Sequence, residues 1–430
     1  MRAWTRASIV VIVLVAAACT SSDSGQAPST ASEVKIGVLV PSGKAAGVEA
    51  LRGAQLAAAL VNGEEGSVPL LRITSGGLRG FGGAKLAVVE ADTKSEPARG
   101  SAEAVRLVTQ ERAVGLVGAY DTGVTAAASQ RTERLGIPFV NGDSSTGYLT
   151  ERGLDWFFRT GPTDRMFGEA FLSTLKEQQA GSSQNRRIAI LYANDELGNG
   201  LHAVTTQLAA EGGYVVVPRN EEDGTVGVGF KTGTPDLTAA VAAVRAAKPD
   251  AVFLVASSPT DAGRLLGTFG TLAYTPPGIF TFGPGFLDQN MLNAAGPNGE
   301  GLLFSAAWSR EVAGRNPAAK PVMDLYEERF NAPMGEVAAG SFTAVLTLAT
   351  AIDNAGSIDP QRIRAALINL DLPGRSTIMP WSGVRFDATR QNARAAGTVE
   401  QWVQGNLRVV FPSEIAQARA VWPLASARRA

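Results

Sequence analysis

From Glu33 onward, short runs of consecutive apolar residues alternate with longer stretches that have helical spacing. The runs do not alternate apolar with polar residues, so the strands that they predict are buried on both faces, as in parallel sheets covered by helices. The predicted strands are Ile36–Val40, Leu86–Val89, Val114–Val117, Pro138–Val140, Ile188–Tyr192, Tyr214–Val217, Ala251–Val255 and Ile279–Phe282. This alternation predicts the α/β class with right-handed crossovers between strands.

The stretches between the predicted strands carry the start signals of helices. We expect Asp121 or Thr122 to cap a helix after the third strand, because short polar side chains accept hydrogen bonds from free helical N–H groups. Pro235 after Thr234 predicts another helix start, since proline is well placed at the first helical position. The Asp-Pro pair that begins at Asp359 gives the same signal.

The strand–helix pairs fall into two series, about residues 34–140 and about residues 187–282. After residue 301 the pattern changes to long helices, about residues 318–330 and 335–354, and then to a hairpin around residues 404–406. This order predicts two doubly wound parallel-sheet lobes, to both of which the C-terminal part of the chain returns.

The first nineteen residues have the features of an export signal. Arg2 and Arg6 precede the apolar run Ile9–Val15, and small residues lead from there to Cys19. Together with Ala16–Ala18 the apolar stretch has about ten residues, whereas a membrane-spanning helix needs about 20. The segment resembles a bacterial lipoprotein signal, so we predict a signal peptide over residues 1–18 and lipidation of Cys19. The alternative is an ordinary secretory signal with a chance cysteine.

The segment that follows is small, polar and low in complexity. We interpret residues 19–32 as a flexible tether between the lipid and the folded lobes. No later segment has 18 consecutive apolar residues. The sequence thus predicts an extracytoplasmic protein that is lipid-anchored to the outer face of the cell membrane.

The counts of charged and metal-binding residues argue against several classes of function. The chain has 39 basic and 40 acidic residues, and its net charge of −1 offers no basic excess for nucleic acid. One Cys and one His argue against a disulfide framework and a Cys/His zinc site. We therefore expect no bound metal, no cofactor, no nucleic acid partner and no catalytic residue.

Candidate ligand contacts lie where the predicted strands end, because open α/β sheets bind ligands beyond the carboxyl ends of their strands. The segments there are rich in hydroxyl, amide and glycine residues, and several precede helices whose free N–H groups favour an anion. They are Pro41–Lys44, Ala119–Thr122, Asn141–Thr146, Asn194–Leu197, Ser257–Thr260 and Gly283–Phe286. Ordinary polar turns and caps have the same composition, so both interpretations stay open.

One of these segments raises the alternative of an enzyme. The residues Gly142-Asp143-Ser144 are similar to the start of some esterases, and Ser144 is a candidate nucleophile as well as a candidate ligand contact. Such chemistry needs a histidine base. The one histidine, His202, follows the start of a different predicted helix, so we expect it to be a surface or packed residue.

Several stretches recur in the order and spacing of one protein family. They are Lys35–Pro41, Arg52–Ala57, Val89–Thr93 with Glu96–Pro97, Gly115–Gly118, Gly136–Val140, Phe158–Asp164, Ile188–Tyr192, Lys248–Phe253 and Ala395–Thr398. Over about residues 33–412 the chain resembles the extracytoplasmic solute-binding lipoproteins of ABC transporters, of the leucine/isoleucine/valine-binding type within the type I periplasmic binding proteins. Residues 62–84 are longer and richer in glycine than the link usual in that family, which predicts an added surface loop.

The resemblance implies two lobes joined by a three-segment hinge, with the ligand in the cleft between them. Lobe I comprises about residues 33–158 and 306–390, and lobe II about residues 159–305 and 391–430. Closure of the lobes is a hinge motion, and the closed form is the one that a membrane permease recognises. The implied partners are a small-molecule solute and the permease and ATPase subunits of an ABC importer; we expect a monomer. The alternative is a ligand-sensing receptor for a signalling partner.

The binding residues of the family carry over unevenly. The resemblance places at Thr122 and Ser145 the two hydroxyls that hold the α-carboxylate of the ligand, and at Asp143 a backbone contact. Two aromatic positions that cover the ligand fall at Leu197 and Ser258, neither of which is aromatic.

The acid that pairs with the ligand ammonium falls at Gly285, so it is missing. A buried ammonium without a charge partner costs several kcal/mol. Either Asp143 or Asp121 takes over this role, or the ligand is a carboxylate or amide compound rather than an amino acid. Tyr120 and Phe286 are expected to offer apolar or stacking surface.

Overall fold

The structure is a computed structural model. It describes residues 33–427 except residues 74, 181–185, 287–288 and 315. The predicted signal peptide, the tether and the lipidation site Cys19 therefore lie outside the described residues. The strands are β1 Glu33–Val40, β2 Lys85–Asp92, β3 Leu116–Gly118, β4 Phe139–Asn141, β5 Phe157–Arg159, β6 Arg187–Ala193, β7 Val215–Val217, β8 Val228–Phe230, β9 Ala251–Val255, β10 Ile279–Phe282, β11 Leu303–Ala306, β12 Leu372–Pro373, β13 Gly383–Val384, β14 Thr398–Val403 and β15 Asn406–Phe411.

The α-helices lie between these strands and after β11. They are α1 Ala45–Asn62, α2 Pro97–Thr109, α3 Thr122–Leu135, α4 Tyr148–Glu151, α5 Asp164–Gln178, α6 Glu196–Glu211, α7 Thr238–Ala246, α8 Pro259–Thr271, α9 Gln289–Ala295, α10 Arg310–Ala313, α11 Ala319–Phe330, α12 Glu336–Ala355, α13 Pro360–Ile368 and α14 Leu424–Ala427. The order of elements confirms the predicted alternation of strands and helices.

The first sheet, called sheet I, has five parallel strands in the order β2-β1-β3-β4-β5. Its two faces are covered by different helices: α1, α12 and α13 pack on one face, and α2 and α3 on the other. The central strands β3 and β4 are buried throughout, which explains why they appear in the sequence as continuous apolar runs.

The second sheet, called sheet II, runs in the order β15-β14-β11-β10-β9-β6-β7, with β8 also paired to β6. Strands β6 to β11 are parallel, and the predicted C-terminal hairpin β14–β15 adds two antiparallel strands at one edge. Helices α5 and α6 cover one face, and α7, α8 and α9 the other. The predicted α/β class with two sheet-centred units is therefore confirmed.

The chain crosses between the two sheets three times: after β5, after β11 and before β14. The first and third crossings lie side by side. The backbone N–H of Asn392 donates to the carbonyl of Arg159 (2.9 Å), and the backbone N–H of Arg159 donates to the carbonyl of Arg390 (3.0 Å). The Arg159 side chain also donates to Gln391 (2.6 Å). The predicted residue boundaries of lobes I and II stay a prediction.

Helix α12 is the central helix of the unit around sheet I. It is the one described helix that has the length and apolar composition of a membrane span, and 83% of that apolar window is buried inside the protein. It packs against α1, where Gly53 allows the closest approach, since a side chain there would overlap the carbonyl of Ala338. Its burial identifies α12 as a core helix.

One helix-start prediction, one capping prediction and one loop prediction need correction. Helix α7 begins at Thr238 rather than Pro235, because the Asp236 carboxylate accepts the N–H of Thr238 (2.8 Å) and holds the preceding residues in a turn. Asp121 occupies the cap position of α3, but its side chain pairs with Lys44 (3.5 Å) instead of capping.

The segment from residue 62 to residue 84 is not a free surface loop. Its side chains Val68, Leu71 and Leu78 are buried, and the N–H of Gly80 donates to Asp353 (2.6 Å) on α12. The segment therefore extends the core of the unit around sheet I.

A matched pair of glycine substitutions tests the α1–α12 contact. Gly53→Ala should lower the free energy of unfolding by about 1–3 kcal/mol, because the new methyl group overpacks the helix interface. Gly267→Ala, on the exposed face of α8 with open space around it, should raise the free energy of unfolding by up to about 1 kcal/mol. Urea unfolding of both variants measures this, and effects of the same sign would contradict the close approach of the two helices.

Candidate ligand-binding cleft

A cavity of ≈ 200 Å³ lies between the carboxyl ends of sheets I and II. From the side of sheet I it is lined by Tyr120, which follows β3, and by Asp143 and Ser145, which follow β4. The side of sheet II contributes Phe282 at the end of β10 and Ser305 in β11. The position agrees with the rule that open α/β sheets bind ligands beyond their carboxyl ends.

The wall on the side of sheet II is largely apolar. Phe167 on α5, Leu197 and Leu201 on α6, and Phe282 face the cavity there, and Met379 closes it from the segment after α13. Such a wall can hold the hydrocarbon part of a solute by burying apolar surface.

The wall on the side of sheet I carries carboxylates. Burial raises the pKa of Asp143 well above its usual range, and the negative charges of Glu336 and Glu49 raise it further. Burial also raises the pKa of Glu336 to about 7, although its carboxylate accepts the N–H groups of Ala307 (3.0 Å) and Trp308 (3.4 Å). The cleft therefore presents acids whose charged forms are poorly solvated.

Tyr120 is half-buried beside these acids. Burial raises its pKa to about 12, and the nearby charges of Asp143 and Glu336 act in the same direction. Its hydroxyl therefore stays protonated and can donate a hydrogen bond into the cavity.

A third lining carboxylate, Asp164, has partners within the protein. Burial raises its pKa, whereas hydrogen bonds from the hydroxyls of Ser145 and Thr146 and the charge of Arg159 lower it. The N–H of Asp164 also donates to the carbonyl of Ser145 (2.9 Å). The hydroxyl that the resemblance assigns to a ligand carboxylate is thus already engaged by an acid of the protein.

Ser144 does not line the cavity. Its hydroxyl is buried against the carbonyl of Ala119 (2.9 Å) and the hydroxyl of Thr125 (2.8 Å). His202 lies on α6, stacked on Tyr192 with ring centres 4.2 Å apart, and its ring is bonded to the carbonyl of Val226 (2.8 Å). The two residues have separate partners, so they do not form the Ser–His pair that the hydrolase alternative needs.

The structure brings together four of the predicted contacts and separates the others. Tyr120, Asp143, Ser145 and Leu197 line the cavity. The predicted contacts outside the lining are Thr122, Asp121, Ser144, Ser258, Gly285 and Phe286.

Contacts within the protein explain why Thr122, Ser258 and Phe286 do not line the cavity. The hydroxyl of Thr122 lies 3.4 Å from that of Thr146, and the hydroxyl of Ser258 caps α8 by accepting the N–H of Asp261 (3.2 Å). The expectation that Phe286 offers surface to a ligand is wrong, because its side chain is fully buried in the core of the unit around sheet II.

Gly285 cannot be replaced by an acid without a change of backbone. A Cβ atom there would lie 2.5 Å from the carbonyl oxygen of Ser258 and 2.7 Å from that of Ala256. The position that holds the ammonium partner in the resembling family is therefore closed to side chains here.

Sequence reasoning missed several lining residues, above all Glu336. An acid directly after Gly335 at the start of a long helix reads as a common helix-start preference, so nothing in the sequence marks it as a cleft residue. Asp164 lies within Phe158–Asp164, one of the stretches that resemble the family, and that match could have identified it as a cleft residue.

The sequence and fold of this chain are similar to those of known proteins. The family profile described as periplasmic binding protein matches residues 33–413. The Leu/Ile/Val-binding protein homolog 7 of Brucella abortus (strain 2308) is 24% identical over 413 residues, which cover 94% of this chain and 97% of that protein.

Two solved structures share the fold and hold different solutes. An ABC transporter substrate-binding protein from Desulfitobacterium hafniense, in complex with Leu, is 21% identical with a TM-score of 0.69, covering 88% of this chain and 99% of that one. A solute binding protein of an ABC transporter from R. palustris, in complex with benzoate, is 18% identical with a TM-score of 0.65, covering 88% and 95%. At these identities the likeness concerns the fold.

The raised pKa of Glu336 predicts how the free energy of unfolding depends on pH. The folded state binds this proton more tightly than the unfolded state, whose pKa is near 4.5, so the free energy of unfolding should fall as pH rises from about 4.5 to about 7. Glu336→Gln should remove at most about 3 kcal/mol of that fall. Urea unfolding across this pH range measures it, with exposed Glu222→Gln as the control; equal pH profiles for wild type and Glu336→Gln would contradict the assignment.

Proposed function

This chain belongs to the periplasmic binding protein family, and we propose that it is the extracytoplasmic substrate-binding component of an ABC importer. Its ligand is a small polar solute, either an amino acid or a carboxylate or amide compound. The observation that carries this proposal is the cavity at the carboxyl ends of both sheets, between two units that three crossing segments join.

The three crossings suit a hinge. They leave each sheet with its own helices and core, so the units can move as rigid bodies while a few crossing residues change conformation. In this proposal lobe I is about residues 33–158 and 306–390, and lobe II about residues 159–305 and 391–430. Closure around a solute presents a surface that spans both lobes to the permease.

The hydrolase alternative lacks its catalytic pair, because Ser144 and His202 are bonded to separate partners. The protein in this proposal carries its solute unchanged to the permease and ATPase subunits.

The membrane anchor in this proposal is a lipid on Cys19. Strand β1 begins at Glu33, so residues 19–32 separate the lipidated end from the first strand of sheet I. In this proposal these residues, which lie outside the described part of the chain, link the lipid to the cleft.

Filling the cavity tests the proposed function. Solutes from a panel of amino acids, amides and carboxylic acids should raise the melting temperature, and a solute at about 100 times its dissociation constant adds about 2.7 kcal/mol. Ser305→Trp, which places a large side chain in the cavity, should abolish this stabilisation, whereas Ser413→Trp on the exposed surface should retain it. Full stabilisation of the Ser305→Trp variant would place the binding site elsewhere.

A second prediction concerns the anchor. Cys19→Ala should move the protein from the membrane fraction to the soluble fraction of the source cell, because the lipid is attached through that thiol. Ser24→Ala, a neighbouring change within the tether, should leave the protein in the membrane fraction. Immunoblots of the two fractions measure this, and membrane retention of the Cys19→Ala variant would contradict lipidation.

A further inference from the structure

The charge of the cleft indicates the charge of its solute. Among the described residues, three carboxylates line the cavity, those of Asp143, Asp164 and Glu336, and no described lining residue is Lys or Arg. A site with this balance repels an anionic group and attracts a cationic one, and the low dielectric of a buried cleft strengthens both effects.

Asp164 is not the source of this attraction. Burial raises the pKa of Asp164 as well, but the hydroxyls of Ser145 and Thr146 and the guanidinium of Arg159, as described above, partly offset that shift and give its charge partners within the protein. Asp143 and Glu336 have no such cation. No hydrogen bond offsets the desolvation of Asp143 within the described part of the chain, and Glu336 has two backbone N–H groups but no positive neighbour.

Two glycines bring these acids together. A Cβ atom on Gly340 would lie 2.6 Å from Oδ1 of Asp143, and one on Gly142 would overlap the carbonyl of Gly340. The loop after β4 therefore touches the first turns of α12. Glu336 lies four residues before Gly340, which places it on the same face of that helix.

The other charged and titratable groups around the pair do not neutralise it. Glu49 on α1 adds negative charge, and Arg52 on the same helix interacts with Glu49. Tyr120 after β3 stays protonated, and the pKa of Glu400 on β14 is raised to about 7 by burial. Within the part of the chain that the structure describes, the pair lacks a counter-charge, and a solute can supply one.

Resting on the proposed function, we propose that the transported solute carries a protonated amine, which binds between Asp143 and Glu336. The hydrocarbon part of the solute lies against the apolar wall of Phe167, Leu197 and Phe282. The cavity has ≈ 200 Å³, so the solute is a small amine. Asp143 and Glu336 bind the amine from the side of sheet I, whereas Gly285 lies on the side of sheet II.

Binding of the amine also releases a proton from the pair of Asp143 and Glu336. Burial disfavours two adjacent charged carboxylates and raises the pKa of both, that of Glu336 to about 7, so near pH 7 a part of the molecules holds a proton on Glu336. An ammonium group that arrives between them favours the doubly charged form, so that proton leaves to the buffer. Amine binding is therefore coupled to proton release.

Matched pairs of solutes test the charge. The pairs are propylamine and butanoate, 3-methylbutylamine and 4-methylpentanoate, and 2-phenylethylamine and 3-phenylpropanoate, each with one hydrocarbon body and two charges. At least one amine should raise the melting temperature while its acid does not. Binding of acids without amines would overturn the amine assignment and leave the transport function standing, whereas no binding by these six or by the wider panel would count against both.

Isosteric variants test the two residues. Asp143→Asn and Glu336→Gln should each weaken amine binding by about tenfold or more, because each removes one charge from the pair and retains an oxygen acceptor. Asp223→Asn, an exposed residue outside the cavity, is the control. Calorimetry in phosphate and in Tris at pH 7 should show proton release by the wild type and less by both variants. Unchanged affinity in both variants, or amine binding without proton release, overturns the assignment.

Discussion

The buried guanidinium of Arg159 connects the fold to the cleft. It stands at the end of β5, where the chain leaves sheet I, and its side chain is fully buried. It donates to the carbonyls of Ser144 (3.1 Å) and Thr146 (2.7 Å), and to Gln391 of the third crossing (2.6 Å). Burying a charge of this kind is costly unless every donor is used, and loss of such a group leaves several acceptors unpaired. The loop that carries Asp143 and Ser145 thus has its shape because Arg159 holds it.

The guanidinium of Arg159 also explains why one acid of the cleft has a positive partner within the protein and two do not. Burial raises the pKa of Asp164 too, but Arg159 and two hydroxyls partly offset that shift, so this carboxylate belongs to the framework that holds the loop after β4. Asp143 and Glu336 lie beyond its reach, and burial raises the pKa of both. Because buried charges without partners are rare in folded proteins, such a pair is a reason to look for a positive group supplied from outside.

Much of the fold could be predicted because its strands are buried on both faces. Ala251–Val255 and Ile279–Phe282 were predicted with the observed bounds, since a run of four or five residues rich in β-branched and aromatic side chains between two turn signals is typical of a buried strand. Local signals failed where a neighbouring polar group competed, as when Asp236 holds a turn and delays the start of α7.

The cleft could be predicted only in part. Asp143 and Leu197 follow strand ends and were found by that rule, but Phe286 follows β10 in the same way and turns into the core through a short 3₁₀ turn. Glu336 is 193 positions after Asp143 in the sequence, and only the return of α12 to sheet I joins them. Contacts made by such a return leave no periodic signal in the chain.

One wall of the cleft is apolar and the other carries acids, and this difference determines which solutes favour the closed form in the proposed transport. In the proposed hinge motion, closure moves the apolar wall on the side of sheet II toward the acids on the side of sheet I and removes water from them. Without a cation this desolvation opposes closure, because each unpaired carboxylate loses hydration that nothing replaces. With an ammonium between Asp143 and Glu336 the same loss of water strengthens the ion pairs, since their attraction grows as the local dielectric falls. The closed form offered to a permease is then favoured by an amine and disfavoured by an empty cleft or an anionic solute, so selectivity follows from the charge that closure must bury.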